Sequence, residues 1–502
     1  MLGMHMGRVP APSAAEDAVV ESGERVNFDT EDWLQLINRA SIVANVEAGL
    51  LDRENAGKLA AALDDMRREG EKPGAKRAEL YITFEPELLR RAGMAASVLH
   101  VGRSSQDILA TANAGLNLER LVKILAAPSE VRRALWELAD REQGAVVPAY
   151  TNGVQAQPTL YSHYLLAQIS VFGRDVERAF ECIRRFDFCP MGSTVLNGTG
   201  WPLNRAKMAE ALGFSAPVTN AFDATCESPV DFPVELAQIA ASSALHVGSF
   251  ISDVMVQYAQ PRPWILLAEG GENTYVSSAM PQKRNPGLVN DLRRDAGLVI
   301  GEAQGVMMRM QNLCLGMADV RDARMMKELA DDACIVLRTF AGFVRTLRVD
   351  RDRALAELNA DWTCTQEIAD RLVRSGHVDF RSGHGFASRL VTWAREKGVT
   401  PPTLEYGDVL ALWKTFRADV KAASLPEDFP LGEAELREAT SPEGIVKSRA
   451  TTGSANPDKV AADLVREREA LGRVALEIQK LEQKRSLVET RLDLALCKTL
   501  AE

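Results

Sequence analysis

The chain has 502 residues, of which 46% are hydrophobic and 25% charged, and its formal net charge is −10. This composition is ordinary for a globular protein, and the length exceeds what one compact core usually holds. The negative balance argues against non-specific nucleic-acid binding, which needs basic patches. A small anionic substrate stays compatible with it, because local Arg and Lys residues can outweigh the global charge.

The cysteines and the N-terminus indicate the cellular environment. The seven cysteines are scattered without a CxxC pair, which fits a reducing compartment and predicts no zinc site. No stretch approaches the roughly 18 uninterrupted apolar residues of a membrane span. Residues 1–28 contain prolines and acids but no apolar signal-peptide core, so we predict a mobile arm. We therefore expect a soluble cytoplasmic protein.

Helical periodicity dominates the first half of the chain, where Ala, Leu, Glu and Arg are abundant and β-branched alternation is scarce. Two helices are predicted within 31–69, the second beginning at Arg53. A long amphipathic run over 108–138 is expected to bend or break near Pro128. Another helix is predicted over 160–185.

The longest predicted helices cover 231–257 and 286–315, and both are apolar on more than one face. Such helices are normally buried between other helices. We interpret them as a bundle covered by other subunits, although a monomer with a thick core would show the same pattern. After Arg351 we predict shorter helices and loops. A final helix over 457–500 fits an end-lobe helix better than a coiled-coil partner.

Three polar stretches do not fit simple helical packing. The first, HVGRSSQD at 100–107, precedes a long helix, and an ordinary N-cap explains it better than an anion site does. The second, YTNGVQAQP at 150–158, would in isolation be a polar loop. The third, SSAMPQKRNP at 277–286, has paired serines, a Lys and an Asn between prolines. It predicts a flexible loop that closes over a carboxylate substrate and excludes water.

These stretches carry a family resemblance. The third resembles the GSSxMPxKxNP signature of the fumarase/aspartase superfamily, with Val276 in place of the Gly. The first is similar to the HTGRSRND segment of argininosuccinate lyase and the second to its THLQRAQP segment. The resemblance extends from about Asp29 to Val465. Weaker likenesses to that family occur at Gly192-Ser193, Leu203-Asn204-Arg205, Phe380-Arg381, His384, Arg449 and Gly453-Ser454.

The resemblance implies an all-α fold in three parts. An N-terminal helical domain would cover 29–106, and a central bundle of long helices would cover 107–351, with a catalytic loop near 270–290. A C-terminal helical domain would cover 352–502. No metal, cofactor, nucleic acid or membrane is implied.

The resemblance also implies a homotetramer with shared sites. Each site would take Ser104 from one chain, Thr151 from a second and the Ser277 loop from a third. Its small-molecule partner would be a dicarboxylate or an amino-acid adduct.

The family eliminates an amine or hydroxide from a succinyl group, through a doubly charged aci-carboxylate intermediate, and releases fumarate. By this resemblance Ser277 would be the base, which requires cations and N–H dipoles that stabilise its alkoxide. Arg103 would have a structural role. The residues expected to bind the substrate are Ser104, Ser105, Gln106, Thr151, Asn152, Ser278, Lys283, Asn285, Arg324 and Lys327.

Two departures concern the general acid. Asn152 stands where the family has a His, and Asn290 stands where it has the Glu that pairs with that His. An amide cannot supply a proton near neutral pH. Either the leaving group departs without this acid, or another residue supplies the proton, or activity has been lost; we favour them in that order.

Further departures concern the amine side of the site. Asp319 and Arg324 replace a Tyr and a Gln of the family, whereas Lys327 is retained. Arg324 beside Lys327 would repel a guanidinium and suit an acidic or neutral leaving group, but an Asp319–Arg324 ion pair that closes the pocket is an equal alternative. We therefore predict a carbon–nitrogen lyase acting on an N-substituted aspartate, such as an aminopolycarboxylate. The alternative is a catalytically impaired member with a structural or regulatory role, like the lens crystallins related to this family.

Overall fold

The computed structural model describes residues 28–316, 323–420 and 425–501. The predicted N-terminal arm, apart from Phe28, lies outside the described residues, and so does Asp319. The described chain is predominantly helical, which confirms the predicted all-α class.

The N-terminal part consists of three helices and a short 3₁₀ segment that lead into the longest helix of the bundle. Asp29 caps the first helix, where its side chain accepts a hydrogen bond from the backbone N–H of Asp32 at 2.9 Å, which satisfies an otherwise free donor. The elements are α1 (Thr30–Glu47), α2 (Arg53–Gly70), α3 (Tyr81–Ala92), the 3₁₀ helix Met94–His100 and α4 (Ser105–Arg141).

The predicted break near Pro128 does not occur, because α4 continues through the proline. A proline inside a helix removes one backbone hydrogen bond. Here its neighbours Ala127 and Val131 are almost fully buried, and α4 packs along α5 and α9 of the bundle described below. Tertiary packing on several sides therefore holds the helix across the missing bond.

The second polar stretch forms a β-hairpin, whereas the sequence in isolation suggested a loop. Strand β1 (Val146–Thr151) pairs antiparallel with β2 (Val154–Leu160). The two connecting residues, Asn152 and Gly153, have φ values of 56° and 74°. A two-residue turn with both φ values positive is the type I′ turn, and Asn-Gly is its preferred sequence.

The remaining central elements form the bundle and its connecting loops. Helix α4 packs mainly on α5 and α9, and α7 packs mainly on α8. The elements are α5 (Tyr161–Phe186), β3 (Phe188–Cys189), α6 (Arg205–Ala211), β4 (Ala216–Pro217), a π-helical turn (Asp223–Glu227), α7 (Ser228–Tyr258), β5 (Ile265–Leu266), β6 (Tyr275–Val276), β7 (Arg284–Asn285), α8 (Gly287–Met310), α9 (Ala323–Thr346) and β8 (Arg348–Val349). Each short strand pairs with one other: β3 with β4, β5 with β8 and β6 with β7.

The described residues contain one helical stretch, Asp223–Tyr258, that is long and apolar enough to cross a membrane. Half of its most apolar window is buried inside the fold. A buried core helix has the same length and composition, so this stretch is weak evidence for a membrane span.

The C-terminal part divides between two hydrophobic cores. Helix α10 (Arg351–Ala360) contributes Ala354 to the first core. The second core contains residues from Trp362 to Ile445. Its helices are α11 (Thr365–Arg374), α12 (Phe380–Lys397), α13 (Tyr406–Val420), α14 (Glu433–Thr440) and α15 (Pro442–Ser448), with a 3₁₀ turn (Pro401–Thr403) between α12 and α13. The last helix, α16 (Pro457–Ala501), packs instead in the first core through Leu464, Ile478 and Leu492. The segment 352–502, predicted as one C-terminal domain, thus contributes to both cores, and the other domain limits stay predictions.

Candidate active site

The third polar stretch is a short hairpin loop. The pairs Tyr275 with Asn285 and Val276 with Arg284 form its base, and the Ser277 N–H donates to the Lys283 carbonyl at 3.2 Å. Pairing at the base therefore places Ser277 and Lys283 opposite each other where the two strands end.

Backbone donors surround the Ser277 hydroxyl. Its Oγ accepts hydrogen bonds from the N–H groups of Ala279 at 3.4 Å and Met280 at 3.3 Å. Donors in this arrangement stabilise negative charge on the oxygen. Ser278 and Lys283 are exposed, and Ser277 and Asn285 are half-buried, so the loop of the single chain is open to a ligand or to another chain.

The first polar stretch begins α4 with a capping box. Ser104 Oγ accepts a hydrogen bond from the Gln106 N–H at 3.2 Å, and the Ser104 N–H donates to Asp107 at 2.8 Å. This confirms the N-cap interpretation. The hydroxyl proton of Ser104 is not used by the cap, because an N-cap oxygen only accepts.

Asp107 is a residue that the list of candidate site residues missed. It is fully buried and accepts two further hydrogen bonds, from the N–H groups of Gly192 and Thr194, both at 2.9 Å. Burial raises the pKa of its carboxyl to about 6, against the opposing effect of the backbone donors. Asp107 thereby joins the Ser104 motif to the Gly192-Ser193 motif. The S-x-x-D spacing of a capping box was the signal in the sequence.

Arg103 has the structural role that the sequence suggested. Its guanidinium is buried and donates to Asn38 Oδ1 and Ser41 Oγ, each at 3.1 Å, and to the Tyr81 hydroxyl at 2.9 Å. These contacts fasten the start of α4 to α1 and α3, and the neighbouring Ser104 is half-buried.

The amine-side residues lie near the same end of α4. Gln106 Nε2 donates to the Gly316 carbonyl at 3.4 Å, which brings Ser105 and Gln106 close to the segment that follows α8. Arg324 and Lys327 are exposed on the first turns of α9, and Lys327 pairs with Asp331 at 2.7 Å. The alternative Asp319–Arg324 ion pair falls outside the described residues.

The hairpin that carries Thr151 and Asn152 is anchored to α10. The Tyr150 hydroxyl donates to Glu357 of α10, and Gln155 Nε2 donates to the Glu357 carbonyl at 3.5 Å. The tip itself is exposed, so Thr151 and Asn152 face outwards on a rigid support.

Helix lengths show that one chain does not assemble these groups. Ser104 and the hairpin lie at opposite ends of α4, whose 37 residues span about 55 Å. The Ser277 loop precedes α8, while Gly316, which contacts Gln106, follows it; the 24 residues of α8 span about 36 Å. Ser104 is therefore far from both Thr151 and Ser277 within its own chain.

Two of the weaker motifs contribute contacts that hold the fold, and a third is exposed. Arg205 Nε donates to the Met191 carbonyl at 3.0 Å, which holds the Gly192 turn. Arg449 pairs at 2.9 Å with Glu367, a fully buried carboxylate of α11. Phe380, Arg381 and His384 are exposed on α12.

Comparisons with known proteins identify the family of the chain. A family model described as lyase matches residues 9–301, and a model described as argininosuccinate lyase C-terminal matches residues 362–447. Argininosuccinate lyase of Acidothermus cellulolyticus is 32% identical over 476 residues, 93% of each chain. Argininosuccinate lyase 2 of Agrobacterium fabrum is 30% identical over 465 residues, 89% of this chain and 88% of the relative.

A solved structure shares the fold. It is an EDDS lyase variant with bound fumarate, which superposes with a TM-score of 0.84 at 22% identity and covers 98% of this chain and 96% of its own. The matched models, the relatives and the three motifs together establish the family. The chain belongs to the fumarase/aspartase superfamily as an argininosuccinate lyase-like carbon–nitrogen lyase.

Proposed function

We propose that this lyase eliminates an amine from an N-substituted aspartate, such as an aminopolycarboxylate, and releases fumarate. The observation that carries the proposal is the Ser277 hydroxyl, which accepts two backbone N–H groups in a loop that also presents Lys283. The neighbour named EDDS lyase, solved with bound fumarate, supports the same reaction class.

Ser277 removes a proton from the methylene carbon of the aspartate, which lies between one carboxylate and the carbon that carries the amine nitrogen. The electron pair forms the aci-carboxylate, and Lys283, Asn285 and Ser278 donate to the charge that develops there. The C–N bond then breaks, its electrons stay on nitrogen, and the carbon skeleton becomes fumarate. Ser104 and Thr151 are further donors to the substrate carboxylates.

The absence of a His at position 152 is compatible with this chemistry. Aliphatic amines titrate near pH 10, as lysine does, so an N-alkyl aspartate already carries its nitrogen proton at neutral pH. Such a nitrogen leaves as a neutral amine without an added acid. Asn152 then forms the hairpin turn and contacts the substrate only through its amide.

We further propose that the active form is a homotetramer whose sites take residues from three chains. The separation of Ser104 from Thr151 and Ser277 within one chain supports this. So does an open face on α8, where Leu298 and Met308 are 57% and 68% exposed. On the same helix a methyl group added at Gly297, Gly301 or Gly305 would meet only open space, and this spacing of four residues suits close approach by another helix.

The amine-side residues support an acidic or neutral leaving group. Arg324 and Lys327 place two cations at the start of α9, close to the segment that Gln106 contacts, and Asp331 offsets part of the charge of Lys327. A cationic guanidinium would be repelled there, whereas a carboxylate-bearing amine would be attracted. A cytoplasmic location is supported by the seven cysteines, all of which are free.

The test is fumarate release, followed by its ultraviolet absorbance, from a panel of N-substituted aspartates that includes argininosuccinate and aminopolycarboxylates. We expect cleavage of the aminopolycarboxylates and a loss of roughly 100-fold or more in Ser277→Ala. Ser388→Ala, at an exposed position of α12, is the control and should keep full activity. Cleavage of argininosuccinate as the best substrate would refute the proposed leaving group.

Asn152 and Asn290 favour a second candidate, a catalytically impaired member with a structural or regulatory role. Silence across the panel, together with silence in the reverse addition of amines to fumarate, would support it over the lyase reaction.

A further inference from the structure

A cavity of about 290 Å³ lies between α4, the end of α5 and the π-helical turn that leads into α7. None of the substrate-binding residues proposed above lines it. A cavity of this size suits a small ligand, and π-helical turns are frequent at functional sites.

One side of the cavity is aromatic. The rings of Phe186 and Phe232 stack with their centroids 4.5 Å apart and their planes 2° from parallel. Phe188 and Pro229 extend this surface. It offers an apolar contact for a flat or short hydrocarbon group and π faces for a cation.

The other side carries polar groups with unused hydrogen-bonding capacity. Asn113 and Asn117 lie one turn apart on α4. Asn117 Oδ1 accepts from Arg120 at 2.9 Å, whereas the Asn113 side chain makes no hydrogen bond to the described residues. Asp223 accepts a hydrogen bond from the Ser228 hydroxyl at 2.9 Å through Oδ1, and its second carboxylate oxygen accepts none from the part of the chain that the structure describes.

Asp223 sets the charge of the cavity. The cation at its edge, Arg185, is engaged by Glu235, which accepts from its Nε at 3.1 Å, and by Glu181 at 3.7 Å. The guanidinium is thereby neutralised, whereas among the described residues the side chain of Asp223 is paired with the Ser228 hydroxyl alone.

Arg120, which contacts Asn117, lies near the carboxylates of Glu119 and Asp331. Both cations near the cavity thus have acidic neighbours, and the charge of Asp223 favours a cation over an anion there.

We propose that this cavity binds a small primary amine as its ammonium ion. The ammonium group donates to Asp223 and to the carbonyl of Asn113, and the hydrocarbon body lies on the Phe186–Phe232 pair. The site is separate from the lyase site and does not depend on the reaction proposed for it.

Isothermal titration calorimetry on the full-length protein tests the proposal with benzylamine as the probe and benzyl alcohol as its neutral isostere. We expect saturable benzylamine binding at one site per chain and clearly weaker binding of the alcohol. Asp223→Asn keeps an acceptor for the Ser228 hydroxyl but removes the charge, and should weaken benzylamine binding roughly tenfold or more. Asp231→Asn, at an exposed position of α7, removes the same charge outside the cavity and should bind as the wild type does.

A second variant and a competition experiment with fumarate show where the amine binds. Ala114→Phe fills the cavity from α4 and should abolish binding, while saturating fumarate should leave it unchanged. The proposal is overturned if wild-type protein shows no saturable binding, if Asp223→Asn and Ala114→Phe both bind normally, or if fumarate displaces the amine and so places it in the lyase site.

Discussion

Asn152 forms part of the hairpin turn and stands at the position where the family has a His. Its φ of 56° lies in the left-handed region that Asn tolerates better than most residues. The adjacent Gly153 completes the turn, so the Asn-Gly pair is explained by the hairpin alone. Asn290 is exposed on the first turn of α8, and nothing in the structure explains the replacement of the family's Glu there.

We expect the substitution of Asp107 to lower the stability of the fold. In Asp107→Asn the amide nitrogen would face backbone N–H donors of Ser104, Gly192 or Thr194, and at least one buried donor would lose its acceptor. That loss costs about 1–3 kcal/mol, and we expect the midpoint of thermal unfolding to fall by a few degrees. Asp231→Asn, which removes an exposed carboxylate, is the control; an equal shift in both variants would contradict the role of Asp107.

At the scale of elements, two substitutions at the hairpin tip distinguish a role of Asn152 in the turn from a role in catalysis. Gly153→Val places a β-branched residue at a φ of 74°, which costs about 1–2 kcal/mol, and should displace Thr151 and lower the rate of fumarate release. Asn152→Gly keeps the turn and should retain most of that rate. A large loss of activity in Asn152→Gly, with the protein still folded, would instead show that the amide takes part in catalysis.

The helices that were given bounds from the sequence were found to within a few residues, since apolar periodicity and caps such as Asp29 are local signals, whereas α9 was not predicted. The hairpin was missed because the polar residues around the Asn-Gly turn were interpreted as a loop, although the strands beside it have ordinary lengths of 6 and 7 residues. Continuity through Pro128 and the packing of α16 in the first core depend on tertiary contacts, which local patterns do not encode. Likewise the motifs made Ser104, Thr151 and Ser277 candidates, but only the lengths of α4 and α8 reveal how far Ser104 lies from the other two within one chain.

At the scale of the whole molecule, a substitution on the open face of α8 tests whether the chains assemble through this helix. Leu298→Glu places a charge on an exposed position of the single chain, so the fold should be kept, but the charge would be buried and unpaired between subunits. We expect a smaller assembly by analytical ultracentrifugation and loss of fumarate release. Ile82→Glu, at a 66% exposed position of α3, should leave both unchanged.

If the active sites are shared between chains, two inactive variants should restore activity when their chains assemble together. A site built within one chain would not show this restoration. Ser104→Gly retains most of the N-cap stability and removes the hydroxyl, while Ser277→Ala removes the base, so each variant alone should be nearly inactive. In tetramers formed by co-expressing the two chains in equal amounts, a site needs Ser104 from a Ser277→Ala chain and Ser277 from a Ser104→Gly chain. Each choice has a probability of one half, so about a quarter of the sites are intact. We expect about a quarter of the wild-type fumarate release from the co-expressed mixture; its absence in a correctly assembled tetramer would mean that both serines come from the same chain.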